Sequence, residues 1–331
     1  MPLAVVIVTY NSADVIEDCL DSLLASEGAD LRVIVVDNKS PDNSIETVTA
    51  WAELHSVVID DAECGSVQTS KDDLPWLTLL RSPLNKGFAG GVNEGLRWAL
   101  HHREIDQFWI MNPDCMVEPQ TARAFVDCAA RSGEFSLMGG RFVYAEPPHL
   151  IQSDGGRVNT FGVCGNVNLG KNRDGAAYPD ATALNFISGA SMVASRGFVE
   201  AVGLLKEDYF LYYEEVDWAF RRASLPLLGC PEAVVRNHVG SAIGSPTLRK
   251  GASPFSNDFN FRNRVRFIWR HRRSRLVKVF LWSNLKALQM LLRGQLDEFL
   301  AAILGTYQLP PPVKVSRKVA REAWPFAFGR N

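Results

Sequence analysis

The chain has 331 residues, 47% of them hydrophobic and 22% charged, an ordinary globular composition with enough apolar side chains for one large core or two smaller ones. The formal net charge of −2 points to no partner by itself, and the absence of any run of 18 apolar residues excludes an ordinary membrane span. The charge is unevenly placed: residues 261–331 hold 15 Lys and Arg against 3 Asp and Glu, the first 260 hold 20 against 34, and such a basic tail on an acidic body predicts contact with something anionic.

In chain order, LAVVIVTY (3–10) is a continuous apolar run, the pattern of a strand buried on both faces. Asn11 or Ser12 can cap the helix that follows, in which Ile16, Leu20, Leu23 and Leu24 repeat at helical spacing. LRVIVVD (31–37) predicts a second buried strand, and Ser40-Pro41 opens a helix to about Leu54. Residues 60–74 are polar and without period, which predicts a surface loop. WLTLLR (76–81) and FWIM (108–111) predict further strands, with a helix from about Gly91 to His101 between them. Strand and helix in alternation imply a parallel, doubly wound sheet. Beyond residue 118 the pattern is mixed: a helix over 119–132, strands near 135–144 and 183–195, and little pattern across 145–182. From about residue 258 the chain reads as helical, basic and amphipathic.

The opening MPLAVVIVTY has neither a basic n-region nor a small-residue cleavage site, so no signal peptide is expected. None of the six cysteines sits in a CxxC or Cys/His metal spacing, and several lie in apolar stretches where Cys acts as a small hydrophobe. A reducing cytoplasm is the expected compartment.

Ligands of a parallel α/β sheet bind beyond the carboxyl ends of its strands. Thr9-Tyr10-Asn11, Asp37-Asn38 and Asn112-Pro113-Asp114 all fall there, and NKGFAGGVNEG (85–95) lies between them. Its glycines allow close backbone approach to a ligand, yet it is neither GxGxxG nor GxxxxGK[ST], so neither a dinucleotide site nor a P-loop is indicated. Singly each piece reads as turn chemistry; together on one edge they read as a site. DYFLYYEEVDWAFRR (208–222) is the second dense patch. Acids in a first helical turn and an i,i+4 pair of Asp217 with Arg221 are ordinary helix electrostatics. Three carboxylates in four residues, Glu214, Glu215 and Asp217, exceed what a cap needs and predict a catalytic base or an acceptor-binding site. His238, in VVRNHVGSAIG, is by itself a structural histidine; together with an Asp at a strand end it can face one divalent cation, phosphate oxygens completing the shell.

These stretches, VVIVTYNSADVIEDCLDSL, VIVVDNKSPDNS, NKGFAGGVNEGL, IMNPDCMV, FISGASMVASRGFVEAVGLL, YFLYYEEVDWAFR and NHVGSA, resemble in order the motifs of family 2 glycosyltransferases with the GT-A fold. Within that family they are most similar to the bacterial rhamnosyltransferase-like enzymes of O-antigen and cell-wall polysaccharide assembly. The resemblance implies an α/β GT-A catalytic domain over 1–258, with a nucleotide-sugar half (1–118) and a mixed acceptor half (119–258), followed by a basic helical extension (259–331). It implies an inverting transfer from a nucleotide-diphosphate sugar, first dTDP-rhamnose and next UDP-hexoses, to a saccharide or polyprenyl-linked saccharide. Asn112-Pro113-Asp114 stands where the family carries a DxD motif: Asp114 would bind Mg²⁺ or Mn²⁺, and His238 would be a further ligand or hydrogen-bond the diphosphate. Asp37 would accept the pyrimidine N3–H, Thr9, Tyr10 and Asn11 would line base and ribose, and Asn85, Gly87 and Asn112 would lie beside the donor. Glu215 falls on the base position, with Glu214 and Asp217 as alternatives. Ser188, Gly189 and Ala190 would form the floor under donor sugar and acceptor, with Trp218 on the acceptor side.

A nucleotidyltransferase or dehydrogenase on a similar sheet is disfavoured by the lack of GxGxxG and by acids placed as late as 214–217. A non-catalytic nucleotide-sugar-binding module is disfavoured by Asp114 and Glu215. In the tail, Val265, Ile268, Trp269, Leu276, Phe280, Leu285, Leu288 and Leu292 could supply apolar stripes among the basic residues. One reading packs these helices on the body. The other lays them on the anionic inner face of the cytoplasmic membrane. A nucleic-acid partner is not expected, since no such motif accompanies the charge.

Overall fold

The computed structural model describes residues 2–65, 74–238 and 251–329. Its first half alternates as β1 (Leu3–Thr9), α1 (Ile16–Leu24), β2 (Leu31–Asp37), α2 (Ser44–Leu54), β3 (Ile59–Glu63), β4 (Leu77–Arg81), α3 (Gly87–Leu100) and β5 (Gln107–Met111). β1 is buried at every position because it feeds two cores. Ala4, Val6 and Val8 face one layer, while Leu3, Val5 and Ile7 face the other. Helices α1 and α2 cover the second layer and α3 the first. A Cβ at Gly91 or Gly95 would stand 2.5 Å from Val8 or Val6, so glycine is what lets α3 lie this close to β1.

The second half adds β6 (Cys115–Val117), α4 (Thr121–Ser132), β7 (Leu137–Tyr144), β8 (Ile151–Ser153), β9 (Gly156–Val158), β10 (Cys164–Asn166), β11 (Ser191–Ser195), α5 (Arg196–Val202), α6 (Glu214–Phe220) and β12 (Leu228–Asn237). The main sheet runs β3-β4-β2-β1-β5-β11-β7-β12-β6, with β8 on β7 and a separate β9-β10 ribbon. β3 through β5 are mutually parallel, and β11 is antiparallel to both β5 and β7. This one reversal positions the site. β11 has to start where its parallel neighbours end, Ser191 opposite Met111, so the turn before it lies on the carboxyl edge. β12 ends on that edge too, Asn237 opposite Tyr144.

This is the mixed α/β sheet expected, with helices at the C-terminus: α7 (Pro254–His271), α8 (Leu276–Leu292) and α9 (Leu296–Thr306), then short turns to Phe328. Several details differ from expectation. Ile59–Glu63 is an edge strand rather than loop, because pairing with β4 satisfies its backbone whatever its polar side chains do. α3 starts four residues early, at Gly87. The strand expected over 183–195 shrinks to β11. The patternless 145–182 segment is pinned by a buried ion pair: Arg141 reaches Asp154 at 3.0 and 3.1 Å and also donates to the carbonyls of Arg173 and Ala176. No helix among the described residues is long and apolar enough to cross a membrane. All six cysteines are free thiols.

The expected boundary at residue 258 falls within α7. Ser253 caps that helix on the Ser256 N–H, Pro254 opens it, and most of its length is buried. Val265 and Ile268, read as exposed-stripe candidates, belong to the core shared with α3 and α6.

Candidate active site

The register of β1 on β2 sets Thr9 opposite Asp37 at the carboxyl edge. Both side chains are buried, and the Thr9 hydroxyl donates to Asp37 Oδ1 at 3.1 Å while Asp37 Oδ2 accepts the Ser40 N–H. Tyr10 follows half-buried, and Asn11 is exposed with φ 55°. Asn38 joins β2 to α3: its amide donates to Asn85 Oδ1 (3.1 Å) and the Gly87 carbonyl (2.9 Å), and its oxygen accepts the Lys86 N–H. Asn85 in turn accepts the Gly87 N–H at 2.8 Å. Gly87 has φ +74°, and a Cβ there would meet the Phe210 carbonyl at 2.2 Å, so only glycine fits. Asn85 and Gly87 therefore hold the edge together, and Asn38, which sequence reasoning named only as a strand end, is their clasp.

Asn112-Pro113-Asp114 leaves β5 on the same edge. The Asn112 N–H donates to the Ala190 carbonyl (3.0 Å), which couples this turn to the one built from Ser188, Gly189 and Ala190. Burial pushes the Asp114 carboxyl up to about 6, with His238 opposing the shift. The Asn237 amide, nitrogen toward Asp114, donates to both carboxylate oxygens at 3.1 and 3.2 Å, and the His238 N–H donates to the Asp114 carbonyl at 3.0 Å. The His238 ring nitrogens lie 3.7 and 3.8 Å from the carboxylates of Glu146 and Asp18. The rest of the expected NHVGSA motif, 239–242, lies outside the described residues. Among the described residues no group of three His, Cys, Asp or Glu is placed to hold a metal ion. Asp114 nevertheless suits a cation: a desolvated carboxylate is returned to its charged form by one, and a hard cation takes its remaining oxygens from phosphate and water.

The three acids of α6 have separate fates. Asp217 is buried and fully engaged: Arg221 Nε lies at 2.9 Å, the Tyr209 hydroxyl at 3.1 Å and His271 Nε2 at 2.7 Å. Burial alone would raise its carboxyl, but His271 and Arg221 outweigh that and hold it low. Asp217 is thus a structural anchor and not a free base, a correction to its place among the alternatives. Among the described residues, Glu214 and Glu215 each leave one buried carboxylate oxygen without a hydrogen-bond partner. Burial, then the Glu215 charge, pushes Glu214 far up; burial pushes Glu215 up to about 7, against opposing backbone N–H groups. Glu214 is 4% exposed, whereas Glu215 is half-buried as a residue. A Cβ added at Gly189 would be 3.4 Å from the Glu215 Cβ, so the Ser188–Ala190 turn lies directly against Glu215. Trp218 is fully buried, donates to the Gly203 carbonyl at 2.9 Å and packs on Phe198. It presents no surface to an acceptor and is a core wedge under α6.

The loop into α6 is strained. Phe210, Tyr212 and Tyr213 have φ of 61°, 66° and 72°, values that bulky side chains adopt only when their surroundings impose them. One buried side chain of α7 does much of this. Asn263 Nδ2 donates to the carbonyls of Tyr209 (2.7 Å), Leu211 (2.8 Å) and Tyr212 (3.1 Å). The Phe88 N–H takes the Phe210 carbonyl, the Tyr213 hydroxyl takes the Gly162 carbonyl, and Tyr212 meets Ser256. Asn263 is a positioning residue with no motif to reveal it in sequence. A separate groove of about 1260 Å³, lined by Leu3, Gln107, Phe135 and Arg222 among others, lies at the opposite edge of the sheet; Arg221 and Phe198 reach it, but Asp37, Asp114, Glu214 and Glu215 do not.

A sheet with its ligand edge at the ends of β1, β2 and β5, a reversed β11 and acids at the head of α6 defines a GT-A fold. Residues 4–160, just under half of the chain, match the family model described as Glycosyl transferase family 2. A curated relative, the low-salt glycan biosynthesis hexosyltransferase Agl10 of Haloferax volcanii, is 25% identical over 197 residues, 58% of this chain. That alignment spans 61% of the relative's own length. Among solved structures the chain is similar to the mannosyltransferase PcManGT from Pyrobaculum calidifontis in complex with GDP-Man and Mn²⁺. The TM-score is 0.52 at 18% identity, over 92% of this chain and 86% of that one. It is also similar to GalNAc-T7 with UDP, GalNAc and Mn²⁺ (TM-score 0.56, 12% identity, 81% and 47% covered). A third is S. aureus TarS 1-349 in complex with UDP (TM-score 0.51, 14% identity, 99% and 86% covered). At these identities the likeness establishes the fold.

Proposed function

We propose that this protein is an inverting glycosyltransferase. It moves a sugar from a nucleotide-diphosphate donor, dTDP-rhamnose before UDP-hexoses, to a hydroxyl of a saccharide or lipid-linked saccharide in cell-surface polysaccharide synthesis. The observation that carries this reading is Glu215: a desolvated carboxylate pushed up to about 7, with one oxygen unpartnered among the described residues, against the Gly189 turn that links back to Asn112 and Asp114. A base poised near the working pH is what removal of a hydroxyl proton needs. The acceptor oxygen attacks the donor C1 while Glu215 takes its proton, and the C1–O bond to the diphosphate breaks with the electron pair leaving on the diphosphate. Asp114, with His238 as a further ligand, would hold a divalent cation, Mg²⁺ or Mn²⁺, which offsets the charge on the departing diphosphate. Two of the similar folds, one with GDP-Man and one with UDP and GalNAc, contain Mn²⁺, which supports a divalent cation here. Thr9, Tyr10, Asn11 and Asp37 form the base and ribose side.

The deciding experiment incubates the protein with a panel of nucleotide sugars and saccharide acceptors, with and without Mn²⁺. Acceptor-dependent release of a nucleoside diphosphate and a product of inverted anomeric configuration are expected. Release of inorganic pyrophosphate, or donor binding without turnover over every acceptor, would refute the assignment. The same reading sets the reaction at the inner face of the cytoplasmic membrane, where a polyprenyl-linked acceptor presents its head group and the protein attaches peripherally.

A further inference from the structure

α8 turns Val279, Ser283 and Ala287 inward, all fully buried, with Leu276, Phe280, Trp282 and Met290 packed half-buried beside them, yet a further set of large apolar residues points to solvent: Val277 is 71% exposed, Leu281 68% and Leu292 79%, with Leu285 and Leu288 exposed between them. At about 100° per residue these five fall within an arc of about 80° directly opposite the buried small residues. On α9, Leu296 and Leu300 are exposed as well. Isolated exposed leucines need no explanation, but five large apolar residues along one outward face of a helix do. Pairing with the body is not its purpose, because the small residues on the other face already provide that contact.

Charge identifies the occupant. Exposed Lys278 flanks the stripe, and exposed Arg273 at its start stacks on the exposed ring of Trp269 (4.6 Å). Arg293 closes its far end, and the segment from 261 to 331 carries 15 basic against 3 acidic residues. Leucines between cationic ends, with a half-exposed tryptophan beside an arginine, match an interface that is apolar below and anionic above. We propose that the α8 leucine stripe is the insertion face for an anionic lipid surface, lying in the headgroup–acyl boundary with Trp269, Arg273 and Lys278 at phosphate level. This rests on the membrane-surface part of the reading above and is independent of its catalytic part.

The test uses the full chain in flotation with phosphatidylglycerol/phosphatidylcholine vesicles and with phosphatidylcholine vesicles alone. Wild type is compared with Leu281→Gln/Leu285→Gln/Leu292→Gln and with Arg273→Glu/Lys278→Glu. Because all five positions are exposed, both variants should melt like wild type. Partition into anionic vesicles at low salt is expected, falling at least about tenfold in each variant, and falling for wild type as salt rises. Nucleoside diphosphate release on a water-soluble acceptor should be unchanged in both variants, so failure of docking and failure of catalysis are separable. Equal partition of the leucine variant and wild type would overturn the proposal. So would absence of co-flotation from folded protein. Sedimentation as a wild-type dimer that the leucine variant abolishes, without vesicle binding, would assign the stripe to a second copy of the chain instead.

Discussion

Three neighbouring carboxylates at the head of α6 do different work because their surroundings differ, and each assignment can be tested by a single substitution. Glu215→Gln keeps shape and removes the base, so transfer should fall by about 10²–10⁴-fold while donor binding persists. Asp217→Asn leaves Arg221 facing an uncharged partner in a buried site, which costs about 3 kcal/mol; a lowered melting temperature should precede any change in residual activity per folded molecule. The pH behaviour of Glu215 has two opposite signs. Its carboxyl is raised in the fold from an ordinary 4.5 to about 7, so the protonated side chain stabilises the native state fully below about pH 4.5 and that contribution is lost as pH rises to about 7. Transfer, which needs the carboxylate, should rise over the same window. The melting-temperature gap between Glu215→Gln and wild type should widen in favour of the variant from pH 4.5 to 7; a constant gap would remove the basis for Glu215 as the base. For Asp114→Ala, stabilisation of the protein by a nucleotide sugar plus Mn²⁺, measured by thermal shift, should collapse to the level seen with chelator.

The element that decides whether these residues are usable is α7. A strained aromatic loop cannot hold three residues of positive φ by itself, and the two amide protons of Asn263 are shared among three of its carbonyls. Asn263→Leu preserves bulk and strands three carbonyls, so about 1–3 kcal/mol of stability should be lost. Because Asn263 acts through the loop that presents Glu215, kcat should fall while the dissociation constant of the donor, held by the β1, β2 and β5 ends, stays put. A rise in donor dissociation constant with kcat intact would show that the loop serves the donor side instead. At this scale the sequence was informative about most elements. Period and apolar runs marked β1, β2, β4, β5, α1, α2 and α4 nearly to their ends. It was uninformative about β3, whose strand character comes only from its neighbour, and about the start of α3, where Asn38 and Phe210 hold backbone that Gly87 leaves free.

Across the whole molecule the first C-terminal helix packs into the same core as the sheet's helices. α7 shares the core with α3 and α6, and Phe255 and Phe259 stack with Phe210 and Phe328 in a third cluster beneath the strained loop. Asp258 and Arg262 pair inside α7, and Arg262 also donates to the Leu309 carbonyl. A chain ending at residue 258 would split that pair and uncover the loop's hydrogen bonds. It should accumulate as insoluble protein, and a soluble 1–258 fragment that still binds donor would show the extension to be a separate unit. The basic tail that the sequence marked as one feature divides in space. Its first helix is spent on packing, and its second and third carry the outward leucines.

The sequence by itself determined the alternating parallel half, the carboxyl edge as the ligand side and the residues that crowd there, because strand burial and strand ends leave one-dimensional traces in apolar runs and in Asn, Asp and Gly. It also determined that Glu214, Glu215 and Asp217 stand together, since they are neighbours in the chain. Only the tertiary structure decided how each of them is surrounded. His271, Tyr209 and Arg221 claim Asp217, burial and its neighbour's charge suppress Glu214, and the Gly189 turn meets Glu215, through contacts that include partners more than fifty residues away in sequence. The same holds for Trp218, an exposed-looking aromatic beside acids that the fold buries completely, and for α8, whose sequence is amphipathic in either direction. Which face turns inward is set by what it must fit against: Val279, Ser283 and Ala287 are the residues covered completely, with Leu276 and Phe280 packed half-buried beside them.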